Sequence, residues 1–473
     1  MVFNSLQFVL FFVVVYVLYR VLPHRAQNWL LLGSSYYFYG VWDWRFLGLL
    51  VASTVVDFTC GLLLGRVQSP ARRRALLFAS IAFNLTLLGF FKYFNFFADN
   101  LHTVFGALGW RVDFVTLRVL LPIGISFYTF VTMSYVIDVY RQELPPSRDF
   151  LEFAVFVAYF PHLVAGPILR ATTLLPQIAA PRNITAAQMR DGAWLIVWGY
   201  FQKVFVADNL ATIVSTAFDP AAQHSGVNVL IGLYAFALQI YGDFAGYSNI
   251  ARGTSKLMGI ELIENFRFPY FVRTPQQFWR HWHISLSTWL RDYLYFPLGG
   301  SRGTFWQTSR NLFITMALAG LWHGAAWTFV LWGVYQGALL VVYRAAERVH
   351  GVRDLLHSGH PIARVASWAV MFHLTCYGWL IFRAESVSQI GQLTSSLFSR
   401  FAGSTIDVHG VLAPVLLYAT PLIVIHAAEA YADDTLIVTR LPVVVRYSAY
   451  VATFYLTILF GNFTGSEFIY FQF

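Results

Sequence analysis

Two histidines in unusual company carry the chemical promise of this sequence. His323 stands in LAGLWHGAAWTFVLWG (Leu318 to Gly333), where only it and Thr328 are strongly polar between Thr315 and Gln336. Placing an ionisable side chain at membrane depth costs about 2–3 kcal/mol, so such a residue is expected to line a cavity or to perform a task. The bland alternative is a core histidine satisfied by one hydrogen bond. The flanking Gly320 and Gly324, which let backbone or substrate come close, favour a functional role. With an ordinary pKa near 6.5, an imidazole suits a general base that takes the proton of an attacking hydroxyl. His283, in FWRHWHISLSTWLRDYLYFPLGGSRG (Phe278 to Gly303), is the candidate to orient it or to hold an acyl carbonyl.

The spacing predicts one helix over Pro275 to Tyr295. Trp279, His283, Ser287 and Arg291 recur at i, i+4 on one face. His281, Ser285, Thr288 and Asp292 share a neighbouring face, and Trp282, Leu286, Trp289 and Tyr293 form an apolar stripe. Such a helix cannot face lipid on most sides. It either lies on the cytoplasmic surface with Arg at the headgroups or lines a polar passage.

Asp243 in YGDFAGYSN and His162 in FPHLVAGP are further polar residues in apolar surroundings. Each serves equally well as a helix cap, an inter-helix hydrogen bond or a cavity-lining group. None of the thirteen histidines has an Asp five residues later, so the H-x4-D signature of glycerolipid acyltransferases is absent. No Walker A or G-x-G-x-x-G phosphate loop occurs. The pairs His281/His283 and His357/His360 make poor metal sites. Two-residue spacing puts the first pair on opposed helix faces, and the second has only Asp354 as a close acidic partner. No metal and no permanently bound cofactor are expected. The two cysteines, Cys60 and Cys376, lie in apolar runs and read as small buried hydrophobes.

These residues must be positioned by membrane helices. Of 473 residues, 58% are hydrophobic and only 12% charged, with a mean hydropathy of +0.57. A soluble domain carries about 25% charge. The fold expected is therefore all-α and polytopic, with roughly 10–12 crossings from the run lengths plus re-entrant or interfacial helices. The net charge of +9 comes from Arg residues that punctuate apolar runs, which fits the positive-inside rule rather than nucleic-acid binding. The Arg72-Arg73-Arg74 cluster should be cytoplasmic, which puts Arg20 and Arg25 inside and the N-terminus outside. Leu6 to Leu22 reads as a retained first helix rather than a cleaved signal. Lys92 to Ala107 is expected at the outer interface. Phe150 to Leu169, interrupted by Pro161, Gly166 and Pro167, reads as a broken or re-entrant helix. No internal repeat, long linker or soluble domain stands out, so residues 1–473 read as one domain.

Taken together, LPIGISFY, FPHLVAGP, GDFAGYSN, ENFRFPY, FWRHWHISLSTWLRDYLY, LGGSRG, NLF-x6-GLWHGA and the final YFQF resemble the membrane-bound O-acyltransferase superfamily. Within it they resemble the membrane subunits of bacterial alginate O-acetyltransferases. The resemblance implies many transmembrane helices around a central tunnel, with an essential histidine in a WHG context, here His323. It implies a second marked histidine in an RxWHxS context, here His283, with His281 a bystander. Trp322, Ser287, Arg291, Asp292, Asp243, Tyr247, Asn249 and His162 are the residues expected to line the tunnel. The implied reaction takes an acetyl group from a cytoplasmic donor, acetyl-CoA, across the bacterial inner membrane. An extracytoplasmic acetyltransferase subunit then places it on a polysaccharide hydroxyl. Relatives act on cellulose and other exopolysaccharides, on peptidoglycan, or load D-alanine onto teichoic acid. The rival classes are a transporter, which would use Asp243, His162 and His323 as a permeation path, and a non-enzymatic export subunit.

Overall fold

Apolar runs punctuated by Pro, Gly and Arg become helices almost throughout. The computed structural model describes residues 1–110, 120–222, 225–399, 408–463 and 468–469, and no strand forms among them. Seven helices among the described residues are long and apolar enough to cross a membrane: His24–Arg66, Pro70–Ala107, Gly226–Leu257, Trp327–Ala346, Pro361–Arg383, Gly410–Ala432 and Val443–Phe460. Leu6–Val21 is a shorter apolar helix. The chain is a multi-pass membrane protein. Within His24–Arg66, His24–Asp43 passes through the short turn Trp44–Phe46 into Leu47–Arg66. The 43 residues of His24–Arg66 are about twice what one crossing needs. The expected interfacial helix likewise continues Pro70–Leu88, through the wide π-turn Gly89–Tyr93 into Phe94–Ala107.

Two compact units divide the chain. The first comprises Met1–Ala193 and Ala251–Ile263. Here the expected break over Phe150 to Leu169 is present. Phe150–Ala158 is capped by Asp149, whose carboxylate accepts from the Leu151 and Glu152 amides. Helix geometry then fails at Tyr159 and resumes for one turn as Phe160–Leu163. Pro161 supplies the reason, because it has no N–H and its ring collides with the carbonyl four residues back. The freed backbone finds partners: the Phe160 amide donates to Ser35 Oγ at 3.0 Å. Gly124 starts the helix Ile125–Tyr140 with φ +76, and a Cβ there would stand 2.6 Å from the Leu163 carbonyl oxygen. Only glycine satisfies both demands. Arg73 donates to the Leu64 carbonyl at 2.5 Å and to the Tyr140 carbonyl at 2.8 Å. The C-terminal ends of two helices thus share a side with the Arg72–Arg74 cluster.

The second unit comprises Trp194–Ile250 and Glu264–Phe473, and holds both candidate histidines. Its best-defined packing is an antiparallel hairpin of Phe305–His323 and Trp327–Ala346. Thr304 opens the first helix with a capping box completed by Gln307. Gly320 allows the second helix to come close: a Cβ on it would lie 2.2 Å from the Phe329 carbonyl oxygen and 3.0 Å from Gly333 Cα.

Candidate active site

The helix expected over Pro275 to Tyr295 is not continuous. Pro275–His281 ends, Trp282 is extended, and His283 adopts left-handed geometry (φ 43, ψ 54) before Ile284–Leu290 begins and the π-turn Arg291–Tyr295 follows. The faces inferred from i, i+4 spacing therefore do not run across the break, although Trp289 and Tyr293 beyond it still meet at 5.0 Å. The break has a local cause. The stretch 265–267 runs alongside the break, where the Arg267 amide donates to the His281 carbonyl at 3.0 Å and the Ile284 amide donates to the Asn265 carbonyl at 2.9 Å. His281 Nδ1 bonds the Arg267 carbonyl, so His281 holds the loop. Backbone pairing outside the helix compensates for the hydrogen bonds that the helix gives up.

This break turns His283 into a buried pocket of rings. Its imidazole meets Phe244 edge-on at 4.6 Å, lies 6.3 Å from Phe266 and meets Trp322 at 6.1 Å. Burial pushes the His283 imidazole down to about 3, so the ring is neutral at physiological pH. His323 is the last residue of its helix, set where the hairpin turns at Gly324. Its ring is edge-on to Trp322 and to Trp332, each at 5.0 Å, and to Phe382 at 5.5 Å. Trp332 in turn faces Trp379 at 6.1 Å and Trp279 at 5.9 Å. Both histidines are buried. They converge on one indole, that of Trp322, within a wall of aromatic side chains. The flanking glycines serve backbone approach: a Cβ on Gly324 would collide with the Phe329 ring at 2.1 Å.

The other expected site residues fall into different places. Asp243 belongs to a buried ion cluster, with Lys203 Nζ 2.7 Å from its Oδ1 and 2.8 Å from Asp208 Oδ1. The second Asp243 oxygen accepts from the Ile469 amide at 2.7 Å. Phe468 packs on Tyr247 at 4.7 Å and on Phe244 at 5.9 Å, so the 468–469 segment reaches the aromatic side of His283. The expected YFQF segment, residues 470–473, lies outside the described residues. Asn249 donates to Gln202 Oε1 at 2.8 Å. Ser287 Oγ donates to the Trp282 carbonyl at 3.1 Å, which ties the helix start across the break. Arg291 and Asp292 pair with each other at 2.7 Å, with the Arg291 side chain half exposed. His162 lies in the first unit, where its Nε2 bonds the Phe156 carbonyl at 2.9 Å across the helix break, as an inter-helix hydrogen bond would.

Sequence reasoning did not single out Asn265, Trp332, Phe382, Lys203 or Asp208, and it placed Ser285 only on a helix face. Asn265 sits in ENFRFPY and Trp332 in FVLWG, both strings of note, but nothing in the spacing joins them to a histidine. GGSRG (Gly299 to Gly303) spells the G-x-S-x-G of a nucleophile elbow, yet no strand leads into it, and Ser301 Oγ is bonded to Tyr295 at 2.8 Å.

Residues 79–382 match the membrane-bound O-acyltransferase family, and the chain belongs to it; it is an O-acyltransferase. It is similar to the probable alginate O-acetylase AlgI of Azotobacter vinelandii, with 41% identity over 436 residues that cover 91% of this chain and 85% of the relative. The AlgI protein of Pseudomonas aeruginosa is 42% identical over 402 residues, covering 84% and 75%. The peptidoglycan O-acetyltransferase of Helicobacter pylori is 34% identical over 420 residues, covering 82% and 78%.

Proposed function

We propose that this protein moves acetyl groups from a cytoplasmic donor, acetyl-CoA, across the bacterial inner membrane for O-acetylation of an extracytoplasmic polysaccharide, with an alginate-like exopolysaccharide as the acceptor polymer. The observation that carries this reading is the His283–Trp322–His323 cluster, in a chain at least 41% identical to two probable alginate O-acetylases over most of its length. In this reading the buried cluster faces a tunnel through the bundle. His323 accepts the proton of the attacking hydroxyl, whose oxygen forms the new ester as the thioester bond breaks and free thiol leaves. His283 orients the attacking hydroxyl beside that base. Buried aromatic walls keep water from competing as acceptor. A separate extracytoplasmic subunit then delivers the group to the sugar.

Similarity to the Helicobacter pylori enzyme favours a second reading, in which the polymer is peptidoglycan. Mass spectrometry of surface glycans from cells with and without the protein tests both. Loss of O-acetyl from an exopolysaccharide supports the first, loss from muramic acid the second. Unchanged acetylation in every glycan, with polymer yield reduced, would replace both with an export role.

A further inference from the structure

Asn265 is wedged between the helix break and the long helix Gly226–Leu257. Its carbonyl accepts from the Ile284 amide at 2.9 Å. Its side-chain Nδ2 donates to Ser248 Oγ at 3.3 Å. Its Oδ1 accepts from the Ser285 amide at 3.2 Å and from Ser285 Oγ at 2.8 Å, and lies 3.2 Å from His283 Nδ1. Asn265, Ser285 and His283 are all buried.

One of these contacts fixes the others. A backbone N–H can only donate, so the atom facing the Ser285 amide is the side-chain oxygen of Asn265 and not its nitrogen. That oxygen has no proton to give. If His283 Nδ1 also carried a lone pair, two acceptors would face each other at 3.2 Å in a buried site, each short of a donor. Such a loss costs about 1–3 kcal/mol. With the proton on Nδ1 the contact becomes a hydrogen bond. Ser285 Oγ, 3.4 Å from Nδ1, keeps its own proton for Asn265.

We propose that Asn265 is the positioning residue of His283: it holds the imidazole as the Nδ1–H tautomer, so that Nε2 presents a lone pair to the acyl-transfer site. The inference rests on the functional reading above for its consequence, though not for its geometry. A lone pair at Nε2 makes His283 an acceptor. His283 then orients a hydroxyl or receives a proton, and it does not donate to an acyl carbonyl while neutral. Asn265 also stabilises the left-handed backbone of His283, because its own carbonyl and its side chain hold the two residues that follow. The groups packed on the ring are Phe244, Phe266 and Trp322. The charged or titratable groups along these elements include His281 and Arg267 at the break, His323 beyond the indole, Asp243 paired with Lys203, and Glu264, which accepts from Thr435.

Nitrogen NMR on the full-length protein, labelled only at histidine, reads the tautomer directly. The His283 signal is identified by its absence in His283→Gln. The expected result is a protonated Nδ1 and an unprotonated Nε2, with Asn265→Leu converting the signal to a mixture and lowering acetylation tenfold or more. Asn265→Asp keeps every acceptor, so it should retain the Nδ1–H signal and partial acetylation. Its carboxylate would favour imidazolium, so the acid limb of the activity profile should move to higher pH. A wild-type His283 with its proton on Nε2 overturns the inference, as does an Asn265→Leu protein with unchanged tautomer. Normal acetylation by His323→Ala in the same assay would instead overturn the acyltransfer role while leaving the tautomer result standing.

Discussion

The imidazole of His283 meets the indole of Trp322 edge to face, with ring centroids 6.1 Å apart and planes at 64°, and Trp322 directly precedes His323 in the chain. One aromatic side chain therefore couples a histidine at a helix break to a histidine at a helix end. Each of the two is held by different backbone, and their spacing depends on where Trp322 sits.

His323→Ala should lower acetylation by a factor of about 10² or more, the usual contribution of a positioned base. The protein should still insert, because an alanine ends a helix as well as a histidine does. Acetyl content of the exported glycan and membrane-fraction immunoblots measure the two halves of this expectation. Normal acetylation would remove His323 from the chemistry.

Trp322→Ala should be worse for stability than His323→Ala, and should also reduce acetylation. The indole is buried against both histidines, and truncating a buried Trp costs about 3–5 kcal/mol. Trp322→Phe keeps a ring at the site and should recover part of both losses. Thermal unfolding in detergent and the acetylation assay report on the pair, and equal behaviour of the two variants would deny the indole its spacing role.

Lys203→Met leaves Asp208 and Asp243 facing each other's field in a buried site without their shared cation. Breaking a buried pair in this way costs about 3–5 kcal/mol. Asp243→Asn should cost less, because an amide oxygen still accepts from the Ile469 amide. A lower melting temperature for Lys203→Met than for Asp243→Asn is the expected order, and the reverse order would show that the loss of the shared cation does not dominate the cost.

Acid should destabilise the protein through His283. Burial lowers its folded-state value to about 3, against about 6.5 unfolded, so the unfolded chain binds more protons between these values. The contribution is complete above pH 6.5 and is lost as pH falls from there toward 3. A His283→Gln protein should show a shallower loss of melting temperature between pH 6.5 and 4 than the wild type. Identical slopes would mean that His283 titrates freely.

The sequence alone determined the class of fold and singled out His283 and His323 as the candidate histidines. Low charge, long apolar runs and Arg punctuation are properties of composition, and they translate directly into membrane helices because lipid offers the backbone no other partner. The break at Pro161 was equally legible, since proline breaks a helix by its own covalent structure. His323 stood out because a titratable group in an apolar run is costly wherever the run folds. Tertiary structure decided what lies around these residues. Helical spacing over Pro275 to Tyr295 predicts faces that the folded chain interrupts at Trp282 and His283, because stretch 265–267 supplies the backbone hydrogen bonds that the helix would otherwise make. Asp243 was visible as a buried acid, but its partners Lys203, Asp208 and the Ile469 amide come from elsewhere in the chain. Asn265 carried no signal of charge or period. It matters because of the one atom that it places 3.2 Å from His283 Nδ1, and such proximity across a helix break is settled only when the chain packs.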